Sequence, residues 1–420
     1  MSAATKRPRR GIRAAIRANV LVLGLGSLFT DFSSEMINPL LPLFFAGLAP
    51  VIGAAFWVGL SEGVAETTAS MLKIFSGRIS DRLHKRKSLV LAGYGVSSLA
   101  RPAIALAALA WHVVALKFFD RVGKGLRTSP RDALIADSVD AGHQGLAFSF
   151  HRAMDHTGAV LGPLTAMALL YLWLGYARWG GVGGGVSAEE MHAMRVLFGV
   201  ALVPGVIAVA VLALGVREIV PAAESGPGGT GEWRQLPRRF KLFVAIVSLF
   251  ALGNSSDMFL LLYGHELFGW GLMPLILLWI ALHVSKIVFS IPGGIVSDKL
   301  GRRPVIISGW IVYALIYLGL AVVAAEWAFW LLLIAYGFYY GMTEGAEKAL
   351  VTDFVPSSQR GTAFGIYHGA IGLAALPASL LFGVFWEAIG PRVAFGIGAV
   401  LAGLAAVGLS ALVSVDGARS

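Results

Sequence analysis

The chain has 420 residues, 57% hydrophobic and 14% charged, with a mean hydropathy of +0.74; soluble domains carry roughly a quarter charged residues, so its solvent is a bilayer rather than water. The formal net charge of +10 comes from bases gathered in short segments between apolar runs, which points to cytoplasmic loops and away from nucleic acid. With no cysteine, disulfides, thiolate metal sites and cysteine nucleophiles are excluded.

In chain order, residues 1–18 carry Lys6, Arg7, Arg9, Arg10, Arg13 and Arg17 and no acid. The apolar run that follows is too long for a signal core, so these residues read as a basic cytoplasmic tail. Twelve apolar runs of bilayer-spanning length then lie near 19–45, 52–75, 88–110, 112–136, 145–174, 194–216, 241–263, 273–291, 304–325, 327–350, 361–386 and 391–414. They form an N-terminal six-helix half at 19–216 and a C-terminal six-helix half at 241–420. Between them, residues 217–240 contain SGPGGTGEW and read as a flexible cytoplasmic linker.

Loop charges set the orientation. One set of loops carries Arg78, Arg82, Lys85, Arg86 and Lys87, then Arg217, Arg234, Arg238, Arg239 and Lys241, then Lys299, Arg302 and Arg303, then Arg360. The opposite loops carry only Arg178 and Arg392, so both termini are expected on the cytoplasmic side of the inner (plasma) membrane. Trp111, Trp173, Trp179, Trp270, Trp327, Trp330 and Trp386 fall at the far ends, where an outer aromatic belt is expected.

The halves repeat each other. DALIADSVDAGHQGLAF at 132–148 aligns with KALVTDFVPSSQRGTAF at 348–364, an offset of 216, and SSEM at 33–36 echoes SSDM at 255–258. The turn GRISDRLHKRK at 77–87 returns as GGIVSDKLGRRP at 293–304, with Asp81 and Asp298 in matching places. Parallel six-helix halves are a transporter layout with the substrate site at the midplane between them.

Gly77, Asp81, Arg82, Lys85, Arg86 and Lys87, with His84 where glycine is usual, and Gly294, Asp298, Lys299, Gly301, Arg302 and Arg303 form a paired signature. It resembles that of the major facilitator superfamily, and the likeness extends over essentially the whole chain. The resemblance implies an all-α integral membrane fold of twelve transmembrane helices in two pseudo-symmetric halves, working as a monomer. It also implies a conformational latch at Gly77, Asp81, Arg82, Arg86, Gly294, Asp298 and Arg302.

A charge at the bilayer centre costs roughly 2.5–3.5 kcal/mol on the insertion scale, so intramembrane charges must face a cavity or a partner. The fourth run places Lys117, Asp120, Arg121, Lys124, Arg127, Thr128 and Arg131 within a sector of roughly 120°. Two readings stay open: a cavity wall that attracts anions or tunes a carboxylate, or a lower half lying in the headgroup zone and pairing with nearby acids. Arg121 and Gly125 resemble the family's fourth-helix signature, whose arginine is associated with proton coupling.

In the first run, Asp31, Glu35 and Asn38 share one face, with Asp31 roughly 18 Å into the helix. A desolvated carboxylate beside an arginine is poised to load and release a proton, so Asp31, Glu35 and Arg121 are the expected coupling residues. The competing reading makes either acid a fixed partner of the fourth-run bases. In the second run, Glu62, Glu66 and Lys73 read as an ion-pair seam to the fourth or eleventh run. In the tenth, Glu347 and Lys348 are expected near the cytoplasmic surface. The expected substrate cavity takes Asn38, Lys117, Asp120, Lys124, His151, Asp155, Asp257, His283, Lys286 and Glu344.

The fifth run aligns His151, Asp155, Gly158 and Gly162, followed by Pro163, so a close helix approach and a kink are expected. Gly158, Gly162 and Pro163 also resemble the superfamily's antiporter signature, which implies export. No three-ligand metal set, phosphate-binding glycine loop or nucleophile–base constellation stands out, so no metal, cofactor or enzymatic activity is expected. The expected function is proton-coupled export of a small organic or amphipathic compound by alternating access. The expected partners are that substrate, protons and the lipid bilayer. The alternatives are transport of an anionic metabolite or siderophore, suggested by the basic stripe, and a non-transporting receptor or enzyme on the same scaffold.

Overall fold

The computed structural model describes residues 16, 18–48, 54–83, 85–174, 186–219, 233–255, 257–270 and 272–417. The basic tail up to residue 15, His84, Arg178, Trp179 and the linker core at 220–232 lie outside the described residues. Among the described residues every regular element is helical.

The elements follow the apolar runs. The first run is α1 (Ala18–Glu35) and α2 (Leu41–Leu48), separated by a short 3-10 turn at Asn38–Leu40 that contains Pro39. Then come α3 (Ala54–Leu83), α4 (Arg86–Ala103), α5 (Ala110–Asp137) and α6 (Gln144–Leu174). The sixth run is α7 (Ala188–Val200) with α8 (Leu202–Gly215), and the seventh is α9 (Arg238–Gly253) with α10 (Met258–Phe268). The second half continues with α11 (Leu272–Leu300), α12 (Arg302–Val322), α13 (Glu326–Phe354), α14 (Arg360–Ala388) and α15 (Pro391–Gly417). α6 passes through Pro163 without a break.

Eight helical stretches of the described chain are long and apolar enough to cross a membrane by length and composition. α3, α5 and α13 fall outside that set because they carry the charges: Glu62, Glu66 and Lys73, the basic stripe, and Glu344, Glu347 and Lys348. Such helices are stable in a bilayer only with their polar faces turned inward, and α3 packs against α5 and α14 while α13 packs against α11, α12 and α6.

The halves meet along two seams, α3 on α14 and α6 on α11. Glycine makes each close. A Cβ on Gly77 would overlap the Gly361 carbonyl oxygen, and one on Gly294 would stand 2.7 Å from the Leu146 Cα. Gly301, at the turn into α12, takes φ +95°, a conformation that side chains rarely adopt.

One expectation is corrected. Trp270 and Trp386 are only 7% and 6% exposed and pack among Phe329 and Tyr263 rather than in an outer belt, whereas Trp111, Trp173 and Trp327 are exposed. Glu347 and Lys348, within two turns of the loop end of α13, are buried against neighbouring helices.

Candidate functional site

At the basic-loop end the halves are shut. Asp81, at the end of α3, accepts hydrogen bonds from the Gly361 and Thr362 amides at 3.0 and 2.6 Å, the first turn of α14. Asp298, at the end of α11, accepts from the Gly145 and Leu146 amides at 3.0 and 2.9 Å, the first turn of α6. The first amides of a helix have no intrahelical acceptor, and its dipole favours an anion there. Each carboxylate therefore caps a helix of the other half.

Arg86 binds Asp137 and the Ser357 carbonyl, the latter at 3.1 Å across the seam, and lies 3.5 Å from Asp81. Arg302 repeats this, binding Asp353 and reaching Gln144 Oε1 at 3.2 Å in the other half. Arg360 also crosses to Asp137. Arg82 is exposed at the end of α3. A separate surface cavity of about 470 Å³ lies beside Arg239, Arg302 and Asp353, away from the interior charges.

Deeper in, Asp132 is fully buried and bound by Lys348 Nζ at 2.9 Å, His368 Nε2 at 2.7 Å and Arg131 at 2.9 Å. Asp132 and Lys348 are equivalent positions of the repeat. Equivalent residues meet only near a two-fold axis, and there two like charges would repel. Divergence to opposite charges turns that place into a bond between the halves.

Beyond this level the seams part. Gly372 of α14 still packs on Ser70, but Glu66 and Glu62, one and two turns farther along α3, have side chains 45% and 53% exposed. Glu62 pairs with Lys117 of α5, and Glu66 stands beside Gly372 of α14 in the other half.

The basic stripe of α5 is answered by acids. Lys117 binds Glu62 at 2.9 Å and Asn38 Oδ1 at 3.2 Å, and Asn38 in turn donates to Glu35 at 3.0 Å. Arg121 lies 3.8 Å from Glu62 and 4.0 Å from Asp120. Arg127 stacks on Tyr94 at 4.2 Å, and Arg131 turns to Asp132. Asp120 is buried behind the wall on Arg101, 2.7 Å away, so it does not line the cleft. Among the described residues, no acid lies within ion-pair distance of Lys124. Lys117 is 3% exposed against 53% for Glu62, and Lys73 10% against 45% for Glu66. Glu62 and Glu66 are thus more exposed than their lysine partners, while Lys124 keeps a partly exposed position without such a partner.

Asp31, Glu35 and Arg121 are not brought into contact. Among the described residues, no hydrogen-bond or ion-pair partner reaches the Asp31 carboxylate. Gly158 and Gly162 set its position: a Cβ on Gly158 would stand 3.0 Å from the Asp31 Cβ, and one on Gly162 2.7 Å from the Glu35 Cβ. The glycines of α6 thus seat α1 with both acids against it.

In the second half, Asp257 takes Lys286 at 2.9 Å and the Tyr336 hydroxyl at 2.7 Å, and Lys286 lies 4.0 Å from the Tyr340 ring centre. His151 and Asp155 are buried side by side at 3.5 Å, with Arg152 bridging Asp155 and Glu344 at 2.9 and 2.8 Å. His283 meets His156 across the seam, Nδ1 to Nδ1 at 3.1 Å. Arg101, Asp132, Asp137, His156 and His368 were not singled out from the sequence. The alignment of 132–148 with 348–364 held one usable signal, Asp132 opposite Lys348.

No cluster of three or more metal-ligating side chains occurs among the described residues. The arrangement joins the halves at the loop end and leaves ionisable side chains of α3 exposed beyond it.

The Major Facilitator Superfamily family model matches residues 23–285 and 280–419. An uncharacterized MFS-type transporter of Methanocaldococcus jannaschii is 33% identical over 390 residues, covering 91% of this chain and 92% of that protein. The multidrug resistance protein MdtH of Edwardsiella ictaluri is 29% identical over 140 residues, 33% of this chain and 35% of its own length. Among solved structures, the E. coli fucose:proton symporter FucP superposes with a TM-score of 0.78 at 11% identity, over 95% of this chain and 99% of that one. The human organic anion transporter MFSD10 gives 0.77 at 14% identity, over 94% and 99%. The chain is an integral membrane protein and belongs to the major facilitator superfamily of secondary transporters.

Proposed function

We propose that the protein is a proton-coupled exporter of small organic or amphipathic compounds, acting as a monomer in the plasma membrane with both termini cytoplasmic. The observation that carries the proposal is Asp31: a carboxylate within the first membrane-spanning run, seated against Gly158 of α6, that no hydrogen-bond or ion-pair partner reaches among the described residues. A group so placed loses little by taking up a proton, and its charge state changes what the cleft will hold. Glu35, tied to Asn38 and Lys117, is the second member of this acid face. Asp81, Asp298, Arg86 and Arg302 serve as the latch that holds the loop end shut while the other end is open. Because the loop end carries the bases, the positive-inside rule makes it cytoplasmic and the present arrangement outward-facing.

Export is supported by the glycine-rich face of α6 and by the partial similarity to MdtH. The anionic alternative loses part of its support, because within the α5 stripe Lys117 and Arg121 are answered by Glu62 and Arg131 by Asp132, which leaves Lys124 without an acid in ion-pair distance among the described residues. The test is flux of candidate compounds in proteoliposomes under an imposed pH gradient. Compound movement against the direction of proton flow is expected. Movement in the same direction as protons would overturn export, and flux indifferent to the gradient would overturn coupling.

A further inference from the structure

His156 on α6 and His283 on α11 belong to different halves and are only 9% and 8% exposed, with their Nδ1 atoms 3.1 Å apart. Two imidazole nitrogens at that separation share one hydrogen: one must donate as N–H and the other accept as a bare nitrogen. The contact tolerates neutral rings, or one protonated ring, but not two. With both rings protonated, N–H would face N–H and two like charges would sit together in a buried seam.

The seam is also one-sided. In the repeat, Glu66 and Gly372 occupy the places of His283 and His156. There, a Cβ on Gly372 would lie 3.6 Å from a Glu66 carboxylate oxygen, and no second ring faces it. The double-histidine contact is therefore not a requirement of the two-fold architecture. It is an addition to one seam, at the level where the closed end gives way to the cleft.

We infer that the His156–His283 pair is a proton-binding clasp, which closes the α6–α11 seam when at least one ring is neutral and releases it when protons entering from the cleft charge both. The inference rests on the proton-coupled reading above and adds to it where protonation acts on the conformational change. Histidine suits the task because its ordinary pKa, near 6.5, lies within the physiological range.

The groups facing the pair set its surroundings. On α6, Arg152 and Asp155 bind each other at 2.9 Å. On α13, Glu344 stands 3.7 Å from His156 Nε2 but is held by Arg152 at 2.8 Å, and Tyr340 lies edge-on to His156. On α11, Trp279 packs against His283 and Lys286 lies one turn along, bound to Asp257. From α1, Asp31 lies against α6 half a turn farther on, at Gly158. Arg152 and Lys286 thus each have a carboxylate partner, and Glu344 stands within ion-pair reach of His156 as well.

Once the seam opens, each ring loses its partner and meets the loop side, where it sheds its proton at higher pH. Protons then move inward as the cleft changes sides, the direction export requires.

The chain has no cysteine, so cysteines introduced at exposed Ser88 and Lys299, one in each half at the loop end, are the only spin-labelling sites. Distance distributions between them are recorded from pH 8 to pH 5 in the full-length protein. The short-distance population is expected to dominate at pH 8 and to fall on acidification, by up to about tenfold per pH unit once the second ring titrates. His283→Asn and His156→Gln, each checked for a monodisperse elution profile, should abolish that response. A pH-independent distance in the parent protein, or an unchanged response in both variants, overturns the clasp. Gradient-driven flux measured alongside separates the two readings. Loss of the response in the variants with no coupled flux in the parent would leave the clasp standing and sink proton-coupled transport; coupled flux with a pH-independent distance would do the reverse.

Discussion

Arg101 and Asp120 form a buried ion pair at 2.7 Å in the first half; at the equivalent places of the second half stand Tyr317 and Tyr336, stacked with ring centres 6.4 Å apart. Lys124 likewise corresponds to Tyr340. At the loop end the halves do not diverge: Arg86 with Asp137 answers Arg302 with Asp353, and Asp81 answers Asp298. The closure is a contact between copies, so the same residues serve both seams. Away from the loop end the equivalent positions are not held to a contact between copies, so the two halves are free to differ. The first half meets this level with the buried Arg101–Asp120 pair, the second with tyrosines packed around the Asp257–Lys286 pair.

This contrast breaks or sharpens under substitution, starting where the repeat meets itself. Asp132→Asn leaves Lys348 and Arg131 buried without their shared anion and should cost about 3–5 kcal/mol, read as a lower melting temperature in detergent. Exchanging the charges, Asp132→Lys with Lys348→Asp, should recover part of that loss; no recovery would mean that the two positions are not interchangeable across the axis.

Next, Arg101→Leu strands the buried Asp120 in the first half, with an expected cost near the lower end of that range, about 3 kcal/mol. Its counterpart Tyr317→Phe removes a neutral hydroxyl and its 3.3 Å contact with Ser255, about 1 kcal/mol. Equal losses of melting temperature would erase the distinction between an ionic and an aromatic pair.

At the latch, asparagine offers one acceptor oxygen where Asp81 uses two. Asp81→Asn should shift the closed-to-open balance by about 1–2 kcal/mol, and Asp298→Asn by the same within about 0.5, with the double variant additive. The Ser88–Lys299 label distances read this directly, and unequal effects would show that the seams are not copies in energy.

The smallest stability change belongs to Asp31→Asn. Without a partner to lose, it should stay within about 0.5 kcal/mol of the parent in melting. It should nevertheless remove the pH dependence of flux while sparing the pH response of the label distance. Flux that keeps its pH dependence would move the proton to another group.

Local and periodic features were legible in the chain. The turn at 77–87 and its copy could be found because a latch acid and its bases sit within a few residues of each other. The shared face of Asp31, Glu35 and Asn38 follows from helical spacing, and Gly158 and Gly162 from the spacing that lets α1 come close. Arg101 could not be matched to Asp120, nor His368 to Asp132, since each lies on a different helix from its partner. The stripe on α5 looked basic because a one-dimensional reading counts charges on one helix and not those that cover them.

The sequence by itself determined the solvent, the six-plus-six repeat, the family signature and the depth of the main charges, because hydropathy and spacing are properties of single helices. Only the tertiary structure decided which end is shut, that Glu62 pairs with Lys117 and Arg101 with Asp120, that Asp132 and Lys348 bind each other, and that two histidines meet across one seam. Those facts depend on the rotation of each helix about its own axis and on the contact between halves, and there a partner is chosen by position in space rather than by distance along the chain.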